Sequence, residues 1–469
     1  MPDLHDLSAL EQARLVRSRE VSPVDLVDHY LDRVERLSDG VGAFVTVTAD
    51  AARAAAKTAE RAVTDGMDVG PLHGVPTAIK DLNLTAGVAT TLGSKVFAGW
   101  VPELDDHVVT RLRAAGSISL GKTSTPEFGL PCYTEPDVAP PARTPWDLSR
   151  SAGGSSGGAA AAVAAGLLPF AQGSDGGGSI RIPASACGLF GIKPSRGRVS
   201  NGPLNAEVSG LAVMGPLART VRDAAAMLDA MAGPMPGDPF WAAPPATSFL
   251  AAADRAPGRL RVGRYADPVL GHPLDPQCRA AYDGASALLE TLGHEVVDIP
   301  RPYGDELLEP FKTVWSVSAA GVPVPPEGVD HIRALTRALR DRGLATSAVE
   351  FNAAMFALRL ASRQAIVATS GYDAVLTPTL AQLPRAVGGF RNDADPWADF
   401  DDQVAFTPFT APYNMSGQPA VSVPLHWTPD GLPVGVQLVG RPADEVTLVA
   451  LSAQLEAARP WADRRPPMW

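Results

Sequence analysis

"GSDGGGSIRIPASACGLFGIKPSRGRVS", residues 173–200, closes one short apolar run, crosses three consecutive glycines and opens another run at "LFGIKPS". Runs of the same kind, ended by glycine or proline, stand on both sides of it: "GVPTAIKD", "SISLGKTS" and "LLPFAQGSD" before, "LAVMGPLA" after. Helical stretches such as "DHVVTRLRAAG" and "TVRDAAAMLDAMAG" alternate with them. That alternation predicts an α/β fold, a sheet covered by helices on both faces.

Upstream, "SALE" at Ser8–Glu11 matches a capping box, and Ser22 with Pro23 opens a second helix. "DLVDHYLDRVERL" is amphipathic, and an Ala-rich helix starts at residue 49, so residues 1–70 read as an all-helical preface to a core over 74–232. Downstream, the Pro/Gly/Ala-rich stretch 233–257 reads as a surface crossing. Strand patterns then resume in "RLRVGRY", "HEVVDIP", "YDAVLTPT", "QPAVSVPLHW" and "LPVGVQLVG". Between them residues 303–370 read as a helical cap, and 371–469 as the strands and helix that complete the sheet. No solenoid period is present, and one sheet drawing on both halves makes 1–469 a single domain.

The 469-residue chain carries a net charge of −11, and its 40 basic residues are dispersed, which argues against nucleic-acid binding. "MPDLHDLSAL" lacks the features of a signal peptide, and no run reaches 18 uncharged apolar residues, so a soluble, cytoplasmic protein without membrane contact is expected. The three cysteines, Cys132, Cys187 and Cys278, form neither a disulfide framework nor a metal motif. Only six of the basic residues are lysines (Lys57, Lys80, Lys95, Lys122, Lys193, Lys312). A chain that otherwise uses arginine has reason to keep lysine where a proton must be released.

A second glycine cluster, "SAGGSSGGAAAAVAAG" at 151–166, has the composition of a linker, yet an Ala-rich helix follows it at once. It lacks the Lys-Ser/Thr pair of a phosphate loop and the apolar strand that precedes a dinucleotide fingerprint. "GSSGG" fits the nucleophile-elbow spacing around Ser156, but no downstream histidine stands in a catalytic context.

Taken with "GGSSGG" and "GVPTAIKD", the stretch 173–200 resembles the amidase signature family. Lys80 lies 99 residues and Ser155 lies 24 residues before Ser179, both at the family's intervals, and "GKTSTPEFG" and "FTAPYNMSGQPAVSVP" match further blocks. The resemblance implies a large twisted mixed β-sheet and a Ser, cis-Ser, Lys triad: Ser179 as nucleophile, Ser155 as a bridging serine on a cis peptide, Lys80 as base. Burial can lower a lysine by roughly 3 to 5 pK units from about 10.4, toward neutrality at pH 7. The amides of Gly176, Gly177, Gly178 and Ser179 are expected to form the oxyanion hole. Ser156 is expected to hydrogen-bond the lysine or the bridging serine, and Asp175 and Arg181 to pair and hold the loop. The family usually carries threonine where this chain has Ser174 and a larger residue where it has Gly176, a departure that would leave the loop freer.

Each residue has a plainer reading: Lys80 as a surface lysine beside Asp81, Ser179 as a helix cap, Ser155 and Ser156 as linker. Lys122 and Lys193 read as structural. Cys132, Tyr133, Thr134, Thr379 and Asn414 are candidates for the substrate pocket, within or near the loops 131–145 and 303–400. The implied activity is hydrolysis of C–N bonds in small amides through an acyl-enzyme, extending to esters or carbamates. It needs no cofactor or metal, and the protein would be a monomer or homodimer. "TEPD" and the ending "LEAARPWADRRP" resemble the branch with cyclic-amide hydrolases, aryl acylamidases and urethane-cleaving enzymes. The other reading is the A subunit of a glutamyl-tRNA amidotransferase, which releases ammonia from glutamine within a complex.

Overall fold

The computed structural model describes residues 3–205 and 208–469. Strands β1 (Phe44–Val47), β2 (Pro76–Lys80) and β3 (Ile118–Thr123) form a small sheet of order β1-β3-β2. The remaining strands are β4 (Phe170–Asp175), β5 (Phe190–Lys193), β6 (Val213–Ala218), β7 (Arg261–Arg264), β8 (Glu295–Asp298), β9 (Ala374–Pro378), β10 (Ala420–Trp427) and β11 (Pro433–Gly440). They form an eight-stranded sheet of order β4-β6-β5-β10-β11-β9-β7-β8. It is mixed, with β7 parallel to β8 and β9 and the other pairs antiparallel, and it draws on both halves of the chain.

Two departures from the sequence reading matter. The preface is not all-helical, because β1 follows the helix Pro23–Val41 and pairs with β3 before the helix Ala49–Thr64 begins. And β2 does not extend the large sheet. Its register against β3 shifts between Thr77 and Ile79, and the amide of Lys80 donates to the side-chain Oε1 of Gln172 on β4 at 2.8 Å. A side chain occupies the place where a backbone ladder would continue, so the sheets meet edge to edge with Lys80 between them. The expected caps form: Ser8 and Glu11 make a reciprocal capping box, and Ser22 accepts from Val24 ahead of a first-turn Pro23.

β9 and β11 are buried along their whole length, as strands covered on both faces must be. One core joins them to the helices Val221–Met231, Pro276–Thr291 and Glu445–Ala458. A second surrounds the helix Gly157–Ala164, whose alanines sit among the side chains of the N-terminal helices. The stretch quoted as linker-like is thus buried throughout. Over 303–370 the chain forms the helices Leu308–Ala320, Ala334–Ala345 and Ala348–Thr369, and the first of these overhangs the site. No helix among the described residues is long and apolar enough to cross a membrane.

Candidate active site

Lys80 ends β2 with its side chain fully buried. Its Nζ donates to Ser155 Oγ at 2.8 Å, to Ser174 Oγ at 3.0 Å and to the Ser174 carbonyl at 3.3 Å. Burial pulls its pKa down to about 7, against the opposing pull of the Asp175 carboxylate. Asp81 is not its partner: that carboxylate lies 3.5 Å from Lys122 Nζ and accepts from the amide of Thr91.

Ser155 follows a cis peptide after Gly154. The chain passes so close to its neighbour here that a Cβ on Gly154 would stand 2.8 Å from the nitrogen of Tyr133 and 3.0 Å from the carbonyl carbon of Cys132. A glycine is required by that approach. The amide of Ser156 donates to the Ser179 carbonyl at 3.1 Å, which ties the two serine segments together. Ser156 does not reach Lys80 or Ser155. Its hydroxyl donates to the Ser174 carbonyl at 3.1 Å and accepts the Ser174 amide at 3.2 Å, because the start of the helix Gly157–Ala164 turns it toward β4. Its effect on the lysine runs through Ser174, the residue that sequence reasoning treated only as a departure.

Ser179 sits where β4 gives way to the helix Arg181–Cys187, and it reaches the wall of an open cavity. The amides of Gly176, Gly177 and Ser179 have no acceptor among the described residues. The Gly178 amide does not join them, since it donates to Asp175 Oδ1 at 2.7 Å across a tight turn. Gly178 has φ +130°, and a Cβ there would lie 2.4 Å from Thr410 Oγ1.

Asp175 and Arg181 are wholly buried and pair through two hydrogen bonds, Nε to Oδ2 at 3.0 Å and Nη2 to Oδ1 at 2.9 Å. Arg181 also donates to Thr410 O, Gln437 Oε1 and Asn414 Oδ1. Burial pushes the Asp175 carboxyl up, but the Arg181 charge and its hydrogen bonds outweigh this and hold it well below the usual carboxylate range. Charge balance and full hydrogen bonding let such a pair persist in a core.

Of the five pocket candidates, Cys132 lines the cavity, its thiol pushed well up by burial and by the Asp399 charge. The other four are absent from its wall, each held by a packing or hydrogen-bonding role. Tyr133 stacks on Phe390 at 5.4 Å and donates to Asp399 at 2.6 Å. Thr134 accepts the amide of Gly157 at the start of its helix, and Thr379 bonds Ser422 between strands. Asn414 donates to Asp175 and Leu211 behind the glycine loop. The wall is instead largely apolar, with Ile182, Leu308, Phe311, Trp315, Phe400 and Met415 prominent. Phe311 and Trp315 carried a readable signal, two aromatic residues one helical turn apart in "LEPFKTVWSVSAA". Among the described residues no group of three or more His, Cys, Asp or Glu side chains is arranged to hold a metal.

A buried, readily neutralised lysine joined to a serine, beside an accessible serine under a loop of unpaired amides, is the equipment of an acyl-transferring hydrolase. The chain belongs to the amidase family, whose profile matches residues 25–449. The 6-aminohexanoate-cyclic-dimer hydrolase of Paenarthrobacter ureafaciens is 37% identical, over 98% of this chain and 96% of that one. The acylamidase of Rhodococcus erythropolis is 36% identical, over 99% and 98%. A solved structure of a 6-aminohexanoate cyclic dimer hydrolase complexed with substrate matches with a TM-score of 0.91 at 36% identity, covering 99% of each chain.

Proposed function

We propose that this protein is a free-standing amidase that cleaves small amides through an acyl-enzyme on Ser179, with Ser155 relaying the proton to Lys80. The observation that carries this reading is the 2.8 Å bond between Lys80 and Ser155, made by an amine whose pKa burial brings to about 7. Near neutrality a substantial fraction of Lys80 is unprotonated. Ser179 Oγ attacks the carbonyl carbon while its proton passes to Ser155 and the proton of Ser155 passes to Lys80. The oxyanion meets the unpaired amides of Gly176, Gly177 and Ser179, each such donor worth about 2.7–4 kcal/mol in the transition state. Lys80 returns its proton through Ser155 to the departing amine, and water then releases the acyl group by the same relay. Esters and carbamates present the same carbonyl carbon to the same nucleophile and fall within this chemistry.

The cavity also favours a free-standing amidase over a glutamine-hydrolysing subunit. Glutamine carries an α-carboxylate and an α-ammonium, and among the described residues no Arg, Lys or His lines the cavity to receive the carboxylate. The test is to incubate the isolated protein with a fluorophosphonate and to locate the label by mass spectrometry. Labelling of Ser179, with anilide hydrolysis reduced by at least about 10³-fold in Ser179→Ala, is the expected result. Label on Ser156, or full activity in Ser179→Ala, would overturn the assignment.

A further inference from the structure

The helix Leu308–Ala320 sets Phe311 and Trp315 one turn apart, their rings stacked with centroids 5.5 Å apart and planes 19° from parallel. Both rings line the cavity, and each lies over one glycine of the loop that carries the unpaired amides. A Cβ on Gly177 would stand 3.7 Å from Cζ of Phe311, an ordinary contact. On Gly176 it would stand 3.3 Å from both Cη2 and Cζ3 of Trp315, which is too tight unless the indole shifts.

Gly176 differs in kind from Gly178. At Gly178 a φ of +130° and the Thr410 side chain both demand glycine. Gly176 has no positive φ, so its backbone would accept any L residue, and the next atom a Cβ would meet after the indole is the Ala212 methyl at 3.9 Å. Trp315 crowds the place of its missing side chain, so that even a Cβ there needs the indole to give by a few tenths of an ångström.

We infer that Gly176 and Trp315 are a matched pair that determines substrate specificity, seating the Phe311–Trp315 slab on the carbonyl-binding loop so that the site selects amides with a flat aryl group beside the scissile bond. The inference rests on Ser179 as nucleophile, since this fixes the carbonyl at that loop. A planar ring entering there stacks on the slab, a contact worth about 0.5–1.5 kcal/mol beyond simple burial and thus up to roughly tenfold in relative rate. An aliphatic chain of equal length gains the burial alone. A larger residue at 176 would lift the indole and open the slot toward bulkier, non-planar groups.

The test is a double-mutant cycle read as the ratio of kcat/KM for an anilide to kcat/KM for an N-alkyl amide with the same acyl group. Trp315→Leu should lower the ratio about twofold to tenfold. Gly176→Val, by displacing the indole, should lower it by a similar factor. The double variant should lower it no further than either single change, because with the indole gone the valine has nothing to collide with. An unchanged ratio in Trp315→Leu overturns the proposal. So does a Gly176→Val loss that is equal for both substrates and persists undiminished in the Trp315→Leu background, because the glycine would then serve the loop. Fluorophosphonate labelling of each variant separates this from failure of the underlying reading: an unlabelled Ser179 in the unaltered protein removes the nucleophile, whereas normal labelling with an unmoved ratio removes only the matched pair.

Discussion

Replacing Ser174 by alanine should move the acid limb of the kcat/KM profile to lower pH. As an ammonium, Lys80 has three N–H groups and three acceptors around it: Ser155 Oγ, Ser174 Oγ and the Ser174 carbonyl. As a neutral amine it turns its lone pair to the Ser155 hydrogen and keeps two donors for Ser174. Loss of the Ser174 hydroxyl strands one N–H in either state, but a bond from a charged donor is roughly twice as strong as a neutral one. The ammonium is therefore disfavoured by about 1 kcal/mol more than the amine, equivalent to about 0.7 pK unit. The limb should fall from about 7 toward roughly 6.3. At pH 6 the neutral fraction rises from roughly a tenth to a third, so the pH 6 to pH 8 activity ratio should increase about threefold. The assay is kcat/KM from pH 5 to 9 with an anilide that does not titrate in that range. It reports the free enzyme. Ser174→Thr keeps an oxygen in place and should keep the limb. Burial and the Arg181 charge also draw Lys193 down to about 7, and Lys193→Met should leave the limb where it is. A limb that stays put or rises in Ser174→Ala, or that vanishes in Lys193→Met, would refute the assignment of the base.

Two further substitutions probe the scaffold. Gly154→Ala places a Cβ against the backbone of Cys132 and Tyr133, which cannot move as a side chain can; it should cost about 1–3 kcal/mol in urea unfolding and lower kcat about 10²-fold by shifting Ser155. Arg181→Met leaves the Asp175 carboxylate buried without its partner and should cost about 3–5 kcal/mol at neutral pH. Because the Asp175 carboxyl titrates lower in the folded than in the unfolded chain, its stabilisation is present above the unfolded carboxylate pKa and is lost as pH falls through the folded value. The difference between the two proteins, read as urea midpoints, should accordingly shrink in acid.

The triad candidates were legible because their evidence lies within one sequence: three residues, two intervals, and a glycine beside each serine. The strands were legible for a similar reason, since apolar runs such as "AVLTP" and "PVGVQLVG" are buried on both faces and end at glycine or proline. The cavity was not. Its wall joins Leu130–Cys132, the helix from Leu308, Phe400 and the segment 407–415, stretches whose apposition depends on how helices are laid over the sheet. Tyr133 and Asn414 point into packing, while their immediate neighbours, Cys132 and Met415, form part of the wall. The contacts of Ser174 and of the Gly178 amide escape the sequence for a finer reason. Which polar group a loop amide or hydroxyl meets is set by single dihedral angles, and neither composition nor spacing records these.

The same geometry explains why Lys80, among three buried lysines, is suited to give up and take back a proton. Burial lowers all three, yet each amine meets something different. Lys122 faces the Asp81 carboxylate at 3.5 Å and stays nearer to charged, its pKa drawn down only to about 8. Lys193 donates to the carbonyl of Pro194, an acceptor with no proton to return. Lys80 and Asp81 are adjacent in sequence, and at the end of β2 successive side chains leave in opposite directions, so Asp81 turns to Lys122 while Lys80 turns to the serines. The Lys-Asp neighbours that read as a surface pair are thereby separated. The one carboxylate whose charge still holds the Lys80 proton is Asp175, and Arg181 already neutralises it at 2.9 Å. Removing that arginine should therefore raise the lysine as well as loosen the fold, so that any folded Arg181→Met protein would show its acid limb above 7, the reverse of Ser174→Ala.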